Sequence, residues 1–545
     1  MGRIFGPTAY PINRKINCKR KGWFVALMDE EKEVQKAERK PQPKFWQALI
    51  VLLFTIGIIA FSLIIAEVDG IHVALFLATC AAILMAFAIG FKWVDLEGLM
   101  IESIRKSVQS IMILLVIGML IGVWMLSGVV PSMIYYGLQI MRPSFFLAAV
   151  MIICSISSVA TGSSWSTAAS IGIAFLGISH GLGINPAITA GAIISGAYFG
   201  DKLSPLSDTT NLAPAMAGTD VMTHVKFMLV PTGVTYVCAL AAFALMPLVA
   251  NIFPAFHNVL YTGNAVSGDM SSAKALAEAI KDNFTINPLL LLPPLVVIVA
   301  IALKLPAIPG ITLGVFAGAI LGLIFQKGCT ISDILNVSLG GYSMQEGYVF
   351  TSAAYSEEIR SGVTDAVWAL LDGRGGISSM GDTISLVLIA MMYGGVMEGT
   401  GMLSKLLGWV KKYVKSPGSV VAITEGTCIF SNIAMPDQYV SIVVGGRMYG
   451  EDYEKMELYP AALSNALESS ATITSALVPW NTCGAYMTKT LGPIWGPGGY
   501  GPWAIFNWLM PIMNVLLAYM GISVADKDGV RLRKKKRLAR KAQRV

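Results

Sequence analysis

Charged residues are scarce in this sequence. Asp, Glu, Lys and Arg make up 13% of its 545 residues, about half of the ~25% that is usual in soluble domains. The scarcity is concentrated in long blocks, and a helix needs only about 20 apolar residues to cross a bilayer. This pattern excludes soluble, fibrous and disordered proteins and predicts an all-α polytopic membrane protein. The blocks without a charged residue are 45–66, 71–91, 143–200, 227–268, 283–303, 305–326 and 490–525.

Signatures of metal sites and enzymes are also absent. The seven cysteines are scattered without a CxxC pair, so we interpret them as small buried side chains. The sequence has neither an HExxH motif nor a phosphate-binding loop. The stretch 162–166 ends in Ser where a nucleophile elbow requires Gly. We therefore expect no enzyme, no ATP-driven pump and no cofactor.

The charges that remain are unevenly placed. The formal net charge of +7 comes from the two ends, residues 1–44 and 525–545, and basic segments beside membrane spans are typical of the cytoplasmic side. We expect both tails to be cytoplasmic and the basic C-terminal tail to lie near lipid rather than nucleic acid. The linker 251–282 and the acidic segment 327–381 are predicted to be external, and the basic loops 91–110 and 405–415 internal.

Two halves of the sequence, 45–250 and 283–524, follow the same order of segments. Each begins with a hydrophobic pair, followed by an amphipathic segment, a Gly-rich span and two segments interrupted by Ser, Thr and Asn. Matching residues recur at a nearly constant spacing, for example Gly122 with Gly395. The order of these matches predicts an internal repeat. The alternative is two unrelated bundles with chance similarity.

Segment lengths determine the predicted topology. The segment 419–447 has 29 residues, too few for two spans of about 20 residues each. We interpret it and its counterpart, 144–180, as re-entrant hairpins, so that each half has an odd number of crossings and the second half is inverted. The prediction is about ten crossings plus two hairpins. Inverted repeats with broken helices are typical of secondary transporters, whose sites lie near the membrane midplane at the breaks.

The densest polar interruption of the apolar blocks is the stretch 200–211. Pro205 removes a helix hydrogen bond, so the helix is predicted to break there and to expose backbone carbonyl groups. Asp201 and Asp208 add carboxylates, and oxygen ligands of this kind suit a hard cation such as sodium. The alternative is a surface loop whose charges are solvated. The neutral donors of this candidate site are Ser204, Ser207, Thr209, Thr210 and Asn211.

The second half contains a similar stretch, which begins at Glu468 and reaches Asn481 and Thr482 after a proline. We expect it to join the same cation and proton site, where sodium is the only metal predicted. Glu398 and Glu425 are lone acids; an interfacial acid hydrogen-bonded to its neighbours is the alternative for Glu398 and the favoured interpretation for Glu425. The hairpins are predicted to contribute Asp437 and, at or near their tips, Thr161, Ser163, Ser164, Ser431 and Asn432.

The stretch GDKLSPLSDTTNLAP, residues 200–214, resembles the signature of the NhaC-type sodium/proton antiporter family. Segments 160–167, 373–380 and 478–482, together with Glu468, support the resemblance, which extends over about 45–522. It implies a multi-pass exchanger of sodium for protons in the cytoplasmic membrane of a prokaryote, similar in fold to other inverted-repeat ion transporters. Members similar to this family also exchange organic anions, such as malate for lactate, with coupled sodium and protons.

Two functions remain open at this point. The first is exchange by competition, in which a buried carboxylate carries either a proton or a sodium ion. Asp208 is the leading candidate because no basic residue lies within five positions of it, and Asp201 comes second because the adjacent Lys202 ammonium would compensate its charge and keep it ionised. The second function is sodium- and proton-coupled exchange of small organic anions or amino acids. It needs a cationic anchor, for which Lys202 and Lys489 are the candidates. The sequence leaves open whether the protein forms a homo-oligomer.

Overall fold

The computed structural model describes residues 41–65, 71–261, 271–303, 305–344, 346–435 and 437–535. The structure is 79% helical, and its described residues form no β-sheet, only four isolated bridges between loops. The predicted all-α class is confirmed, and the apolar helices are those of a polytopic membrane protein. The predicted cytoplasmic position of the tails concerns mainly residues 1–40 and 536–545, which lie outside the described ranges.

The helices of the first half are joined by short connections that contain capping residues. They are α1 (Phe45–Ala60), α2 (His72–Ile89), α3 (Trp93–Leu126), α4 (Val129–Ile140), α5 (Phe146–Thr161), α6 (Ser164–Thr167), α7 (Ile173–Gly181), α8 (Pro186–Leu203), α9 (Asp208–Ala217) and α10 (Val221–Ile252). Asn185 caps α8, because its Oδ1 atom accepts the Ala187 amide at 2.9 Å. Pro186 occupies the first helical position, where no amide hydrogen is needed.

The second half and the segment before it are also helical. The helices are α11 (Pro254–Leu260), α12 (Ser271–Asn283), α13 (Leu292–Ala302), α14 (Ala307–Phe325), α15 (Ile331–Gly340), α16 (Glu357–Leu371), α17 (Gly381–Gly399), α18 (Met402–Gly408), α19 (Pro417–Ala434), α20 (Gln438–Lys455), α21 (Pro460–Leu467), α22 (Thr482–Leu491) and α23 (Ile505–Tyr519). The predicted linker 251–282 therefore contains α11 and α12. Leu276 and Ile280 of α12 are buried in the main hydrophobic core.

α8 lies at the centre of the molecule. Its residues from Ala187 to Lys202 are buried, apart from the partly buried Phe199. Gly196 and Gly200 allow α8 to pack directly on α5, because a Cβ atom at either position would overlap a carbonyl oxygen of that helix. Helices such as α1, α2, α10 and α14 instead expose large apolar side chains, as expected of helices that face lipid.

Five helices among the described residues are long and apolar enough to cross a membrane. They lie in α2, α3, α10, α14 and α17, and α12 with α13, bent by 101°, would make a sixth if they form one broken span. α1, α5 and α23 are apolar but shorter. The ten crossings and the inverted repeat therefore stay predictions.

The stretch 91–110 is not a loop. α3 has 34 residues and runs without a break from Trp93 to Leu126. At 1.5 Å per residue it is about 51 Å long, well beyond the ~30 Å of a hydrocarbon core. The amphipathic segment and the Gly-rich span, which are predicted to be separate, form one helix. Nothing at their junction interrupts the hydrogen-bond ladder.

The predicted hairpins are both helix–break–helix segments, but the second is longer than expected. α5 ends at Thr161, and helical structure resumes at Ser164 and reaches Gly181 through a π-helical turn. α19 and α20 pack side by side and together cover 417–455 instead of 419–447, because α20 continues into a polar end. Each has 18 residues, but neither is among the described helices that are long and apolar enough to cross a membrane, so the re-entrant hairpin stays a prediction.

The glycine-rich loop around Arg374 packs directly on α3. Gly375 and Gly376 adopt φ values of +76° and +81°, which side chains with a Cβ rarely allow. The Gly376 amide donates to the Gly118 carbonyl oxygen at 2.6 Å. A Cβ on Gly375 would overlap the backbone of Gly122. These glycines bring the backbones together and hold Arg374 beside the C-terminal half of α3.

Candidate functional site

The central helix breaks where the sequence predicts. Pro205 lies between the end of α8 and the start of α9. Thr210 Oγ1 donates to the carbonyl oxygens of Asp201 and Lys202, both at 3.1 Å. This hydroxyl satisfies carbonyl groups that lose their helical partners at the break. The break is therefore stabilised by its own sequence.

Asp201 is buried in the last turn of α8 and faces the start of α6. Its Oδ2 atom accepts hydrogen bonds from the Ser164 amide at 3.1 Å and the Ser164 hydroxyl at 2.7 Å. The first amides of a helical segment carry partial positive charge and stabilise an anion. With 6% exposure, Asp201 is a buried carboxylate held by donors on a neighbouring segment.

A cavity of about 430 Å³ opens beside Asp201, and we refer to it as the acidic cavity. Asp208, the carboxylate that the sequence favours, also lines it, but unlike Asp201 it is exposed. The reason is its position as the first residue of α9, at the open end of the break. The predicted site residues that line the cavity are Thr161, Ser163, Asp201, Ser207, Asp208 and Thr209.

Lys202 points away from Asp201. Neighbouring residues on a helix are about 100° apart, so the two side chains reach different parts of the molecule. The Lys202 ammonium is wholly buried and donates to Ser469 Oγ at 3.1 Å. It interacts electrostatically with Glu468 and Glu425. The expectation that Lys202 compensates the charge of Asp201 is therefore wrong.

Glu468 links the second half to the acidic cavity. It lies in a π-helical turn, Glu468–Thr472, a distortion that is frequent at functional sites. Its Oε1 atom accepts a hydrogen bond from Thr209 Oγ1 at 3.0 Å, and Thr209 Oγ1 lies 3.0 Å from Ser207 Oγ. Among the described residues, Glu468 Oε2 has no hydrogen-bond partner. One carboxylate oxygen thus contacts the cavity wall while the other stays unpaired.

Asp437 has an environment in the second half that is similar to that of Asp201 in the first. It is buried and caps α20, where its Oδ1 atom accepts the amides of Tyr439 at 2.8 Å and Val440 at 3.3 Å. Thr482 Oγ1 donates to Oδ2 at 3.4 Å. Each half therefore places one buried aspartate at the start of a helical segment.

Ser431 and Asn432 lie in the last turn of α19, which ends at Ala434. Asn432 Nδ2 donates to the carbonyl of Ala471 at 2.7 Å and to Thr474 Oγ1 at 3.0 Å. In the described part of the chain, the Ser431 hydroxyl and Asn432 Oδ1 lack a partner. Two buried oxygen atoms near the second break can therefore accept a ligand.

The remaining predicted donors mainly stabilise the backbone. Ser204 donates to a carbonyl of α5 at 2.8 Å, and Asn211 donates to two carbonyls of the break at 2.9 and 2.6 Å. Ser163 accepts the Ser166 amide at 3.2 Å, and Thr161 donates to the Ser163 carbonyl at 3.4 Å. Asn481 caps α22 through an amide at 3.2 Å. These contacts fix the geometry of both breaks.

Trp165 connects the acidic cavity to α22. Its ring stacks on that of Tyr486, with centroids 4.4 Å apart and an interplanar angle of 8°. The Tyr486 hydroxyl donates to the Trp165 carbonyl at 2.8 Å. Trp165 also lines the cavity. This part of the cavity wall is therefore built from both halves, from α6 and from α22.

A second cavity, of about 270 Å³, has a basic lining that includes His180, Arg374 and Lys489. Both cavities contact α3, the acidic one at Ile113 and the basic one at Ile121. Eight helical residues correspond to about 12 Å. The two cavities therefore contact the same helix about 12 Å apart, with linings of opposite charge.

Three polar residues lie in the interior although the sequence does not predict their burial: Glu425, Asn465 and Asn514. The prediction of an interfacial Glu425 is wrong, because Glu425 is 1% exposed and accepts a hydrogen bond from Asn514 at 2.5 Å. A signal is present in the sequence, since each is a carboxyl or amide side chain in a helix that has no other charged residue. Such residues need partners inside the protein.

These features define a class of protein: a helical membrane protein in which two polar helix breaks meet beside a central cavity. The model of the Na+/H+ antiporter family matches residues 196–522. The chain therefore belongs to the Na+/H+ antiporter family, as the resemblance of residues 200–214 predicts.

Proteins similar to this chain carry more than one transport name. The chain is 33% identical to a Na(+)/H(+) antiporter NhaC of Alkalihalophilus pseudofirmus, over 88% of this chain and 97% of that protein. It is 34% identical to a malate-2H(+)/Na(+)-lactate antiporter of Bacillus subtilis, over 83% of this chain and 89% of that protein. An arginine/ornithine antiporter of Halobacterium salinarum is 30% identical, over 92% and 96%.

Proposed function

We propose that this protein exchanges sodium ions for protons across the cytoplasmic membrane and that the two ions compete at Asp201. The observation that carries the proposal is the position of Asp201, which is buried yet borders the acidic cavity. Hard cations prefer oxygen ligands, and the hydroxyls of Thr161, Ser207 and Thr209 line the same cavity. Membership of the Na+/H+ antiporter family supports sodium and protons as the transported ions.

Competition follows from the charge of one buried carboxylate. A buried carboxyl group is stable only when it is protonated or when nearby groups compensate its negative charge. Ser164 compensates Asp201 in part, and either a sodium ion or a proton completes the compensation. Binding of one ion therefore displaces the other. We assign Glu468, Asp437, Asn432, Asn481 and Thr482 to the same pathway, because they surround the second break.

Alternating access is the movement that this mechanism needs. We propose the inverted topology of about ten crossings with both termini in the cytoplasm, and the halves 45–250 and 283–524 as its two units. The two cavities support it, since they contact α3 at separate levels, at Ile113 and at Ile121. The residues of α3 between Ile113 and Ile121 then separate the two sides, and movement of one half against the other exposes Asp201 alternately.

Transport by the purified protein tests this proposal. The protein is placed in liposomes that enclose a pH-sensitive dye and is then given sodium, lithium or potassium outside. We expect a proton flux that depends on sodium and is absent with Asp201→Asn. Asp220→Asn is the matched control, since Asp220 only caps α10 through the Thr223 amide at 2.9 Å. Sodium-driven proton flux at the wild-type rate in Asp201→Asn would contradict the assignment.

The basic cavity supports a second candidate function, the sodium- and proton-coupled exchange of small organic anions. Arg374, His180 and Lys489 are poorly suited to a path for cations alone but suit a carboxylate. One similar protein is named as an antiporter of malate and lactate. In the same liposomes, malate or lactate would then drive proton movement, and Arg374→Gln would reduce this response more than the response to sodium alone. A response to sodium with none to either anion would exclude this candidate.

A further inference from the structure

A buried carboxylate outside the acidic cavity, that of Glu425, is connected to Lys202 by hydrogen bonds. Glu425 lies in the middle of α19 and is the only charged residue of that helix. It is 1% exposed, and Asn514 Nδ2 donates to its Oε1 atom at 2.5 Å. Among the described residues, its Oε2 atom has no hydrogen-bond partner. Glu425 does not line the cavity, so it has no direct contact with an ion at Asp201.

A continuous chain of hydrogen bonds joins Glu425 to Lys202. Lys202 Nζ donates to Ser469 Oγ at 3.1 Å, and Ser469 Oγ donates to Asn465 Oδ1 at 3.3 Å. Asn465 Nδ2 donates to Asn514 Oδ1 at 2.8 Å, and Asn514 in turn donates to Glu425. Every member of the chain is buried. The chain crosses from α8 through α21 and α23 to α19.

The direction of this chain is uniform. An ammonium group can only donate and an ionised carboxylate can only accept, so the two ends determine which way every hydroxyl and amide points. All the donors point toward Glu425. Aligned hydrogen bonds polarise one another, so the chain stabilises negative charge at Glu425 and positive charge at Lys202. A proton can occupy the unpaired Oε2 atom without breaking any bond of the chain.

One ammonium group faces two glutamates. Lys202 interacts electrostatically with both Glu468 and Glu425. If both carboxylates were ionised, one negative charge would stay uncompensated in the interior, which is costly. Around Glu425, Cys428 of its own helix and Tyr453 of α20 are the further ionisable groups, and neither carries positive charge.

The other elements that pack on α19 contribute no second cation at Glu425 within the described ranges. α21 and α23 contribute the amides of Asn465 and Asn514, which do not titrate. Lys405 of α18 is exposed, and Lys411, in the turn after it, pairs with Asp452 at 3.0 Å. His224 of α10 is hydrogen-bonded to Ser464 at 2.8 Å and lies near Lys202 rather than Glu425.

We propose that Glu425 binds a proton during transport and sets the sodium affinity of the cavity through Lys202, without touching sodium itself. The inference rests on the proposed sodium/proton exchange. When Glu425 is protonated, Lys202 compensates Glu468, the cavity wall is less negative and sodium is held weakly. When Glu425 loses its proton, it shares Lys202 with Glu468, and the wall becomes more negative and holds sodium more tightly. Glu425 is thus a positioning residue that acts on sodium only through Lys202.

Glu425→Gln tests this proposal, because glutamine keeps an oxygen for Asn514 but cannot ionise. We expect it to mimic the protonated state. At alkaline pH its KM for sodium should rise by about tenfold, within the range of coupled sites, while kcat changes little. The dependence of KM on pH should become flatter. A purely structural role for Glu425 would instead change expression or kcat and leave the pH profile of KM in place.

Two further variants keep the proposal falsifiable. Glu398→Gln is the matched control, since Glu398 is also a lone acid but is partly exposed and lies 3.4 Å from Lys106; we expect an unchanged profile. If Glu425→Gln does not fold, Glu425→Asp withdraws the carboxylate from Asn514 and should shift the profile while keeping its slope. Wild-type pH dependence of KM in either folded Glu425 variant would overturn the proposal.

A spectroscopic measurement separates this inference from the proposed function. The infrared difference spectrum of the wild-type protein between acidic and alkaline pH should contain a band from a protonated carboxyl group that is missing in Glu425→Gln. If the wild-type protein moves no sodium but this band is present, the proposed function fails and the proton site stands. If transport occurs but the spectra of both proteins are identical, the proton site is refuted.

Discussion

The two helix breaks of this protein contain similar residues in opposite surroundings. The first, between α8 and α9, opens to the acidic cavity, and both Pro205 and Asp208 are exposed. The second, after α21, is more closed, since all residues from Ala461 to Ala476 are buried and Pro479 is only partly exposed. Both breaks contain hydroxyls, a proline and a carboxylate. One break is therefore accessible to ions, while the other lies in the sealed interior.

This difference indicates that the two breaks have different roles in binding. An accessible carboxylate can exchange ions rapidly but is screened by its surroundings, whereas a sealed carboxylate feels nearby charges strongly. Lys202 begins in the first break and extends its ammonium into the second, where Glu468 and Ser469 lie. We infer that the sealed break regulates the charge of the open one.

The largest effect is expected from removing the charge that the breaks share. Lys202→Met keeps the length of the side chain but leaves Glu468 without its cation. Loss of one partner from a buried charge pair costs about 3–5 kcal/mol. The free energy of unfolding in detergent should fall by that amount, and transport should be lost. Lys226→Met, at an exposed position of α10, should unfold like the wild type. Equal stability of the two variants would show that Lys202 is not coupled to the sealed break.

The next largest effect is expected at the open break itself. Asp201→Asn keeps the shape of the side chain and both contacts to Ser164 in part, but it removes the charge that sodium needs. Hydrogen bonds and contacts to charged groups contribute about 1.5–3 kcal/mol, so the apparent sodium affinity should fall by about 100-fold. Stability should change little. Sodium binding to the purified variant in detergent, titrated over a range of concentrations, measures the affinity, because proton flux through this variant is expected to be absent.

A smaller effect is expected for Asp208, although the sequence favours it as the exchanging group. Because Asp208 is exposed, its attraction for sodium resembles that of a surface charge, worth about 0–1 kcal/mol. Asp208→Asn should therefore raise the KM for sodium by about fivefold at most, and added salt should remove the difference. Complete loss of exchange in this variant would show that Asp208 becomes buried in another conformation and would restore it as the main carboxylate.

The smallest effect is expected outside both breaks, where Asp526 pairs with Lys535 at 2.8 Å. Lys535 holds the pKa of the Asp526 carboxyl below its usual range. A carboxylate with a lowered pKa contributes stability at neutral pH and loses that contribution as pH falls through its folded pKa. Asp526→Asn should leave transport unchanged and lower the Tm slightly at pH 7, and the difference should vanish in acid. A difference that grows with acidification would contradict this sign.

The sequence predicts those features that depend on local chemistry. Pro205 must interrupt a helix wherever it lies, and the charge-free blocks must be apolar helices, so the break and the helical class follow directly. The junction within α3 and the end of α20 are not predictable from charge counts, because a helix continues through polar residues when one of its faces remains packed. Burial depends on the rest of the fold, which explains the incorrect placement of Glu425.

The roles of Asp201 and Lys202 show a second limit of prediction from the sequence. Adjacent positions in a sequence suggest a shared environment, and the expected pairing of these two residues rests on that assumption. On a helix they point about 100° apart, and which direction leads to the cavity depends on how α8 packs against α5 and α21. Only the packed structure reveals that one faces the cavity and the other the sealed break.

The stack of Trp165 on Tyr486 has an optical consequence. An indole next to a carboxylate changes its emission when the local electric field changes, and Trp165 lines the same cavity as Asp201. Trp165 is one of eleven tryptophans, so a difference between the wild type and Trp165→Phe isolates its signal. The architecture thus contains an intrinsic fluorophore at the proposed ion pathway, through which occupancy can be read in detergent without liposomes, dyes or net transport.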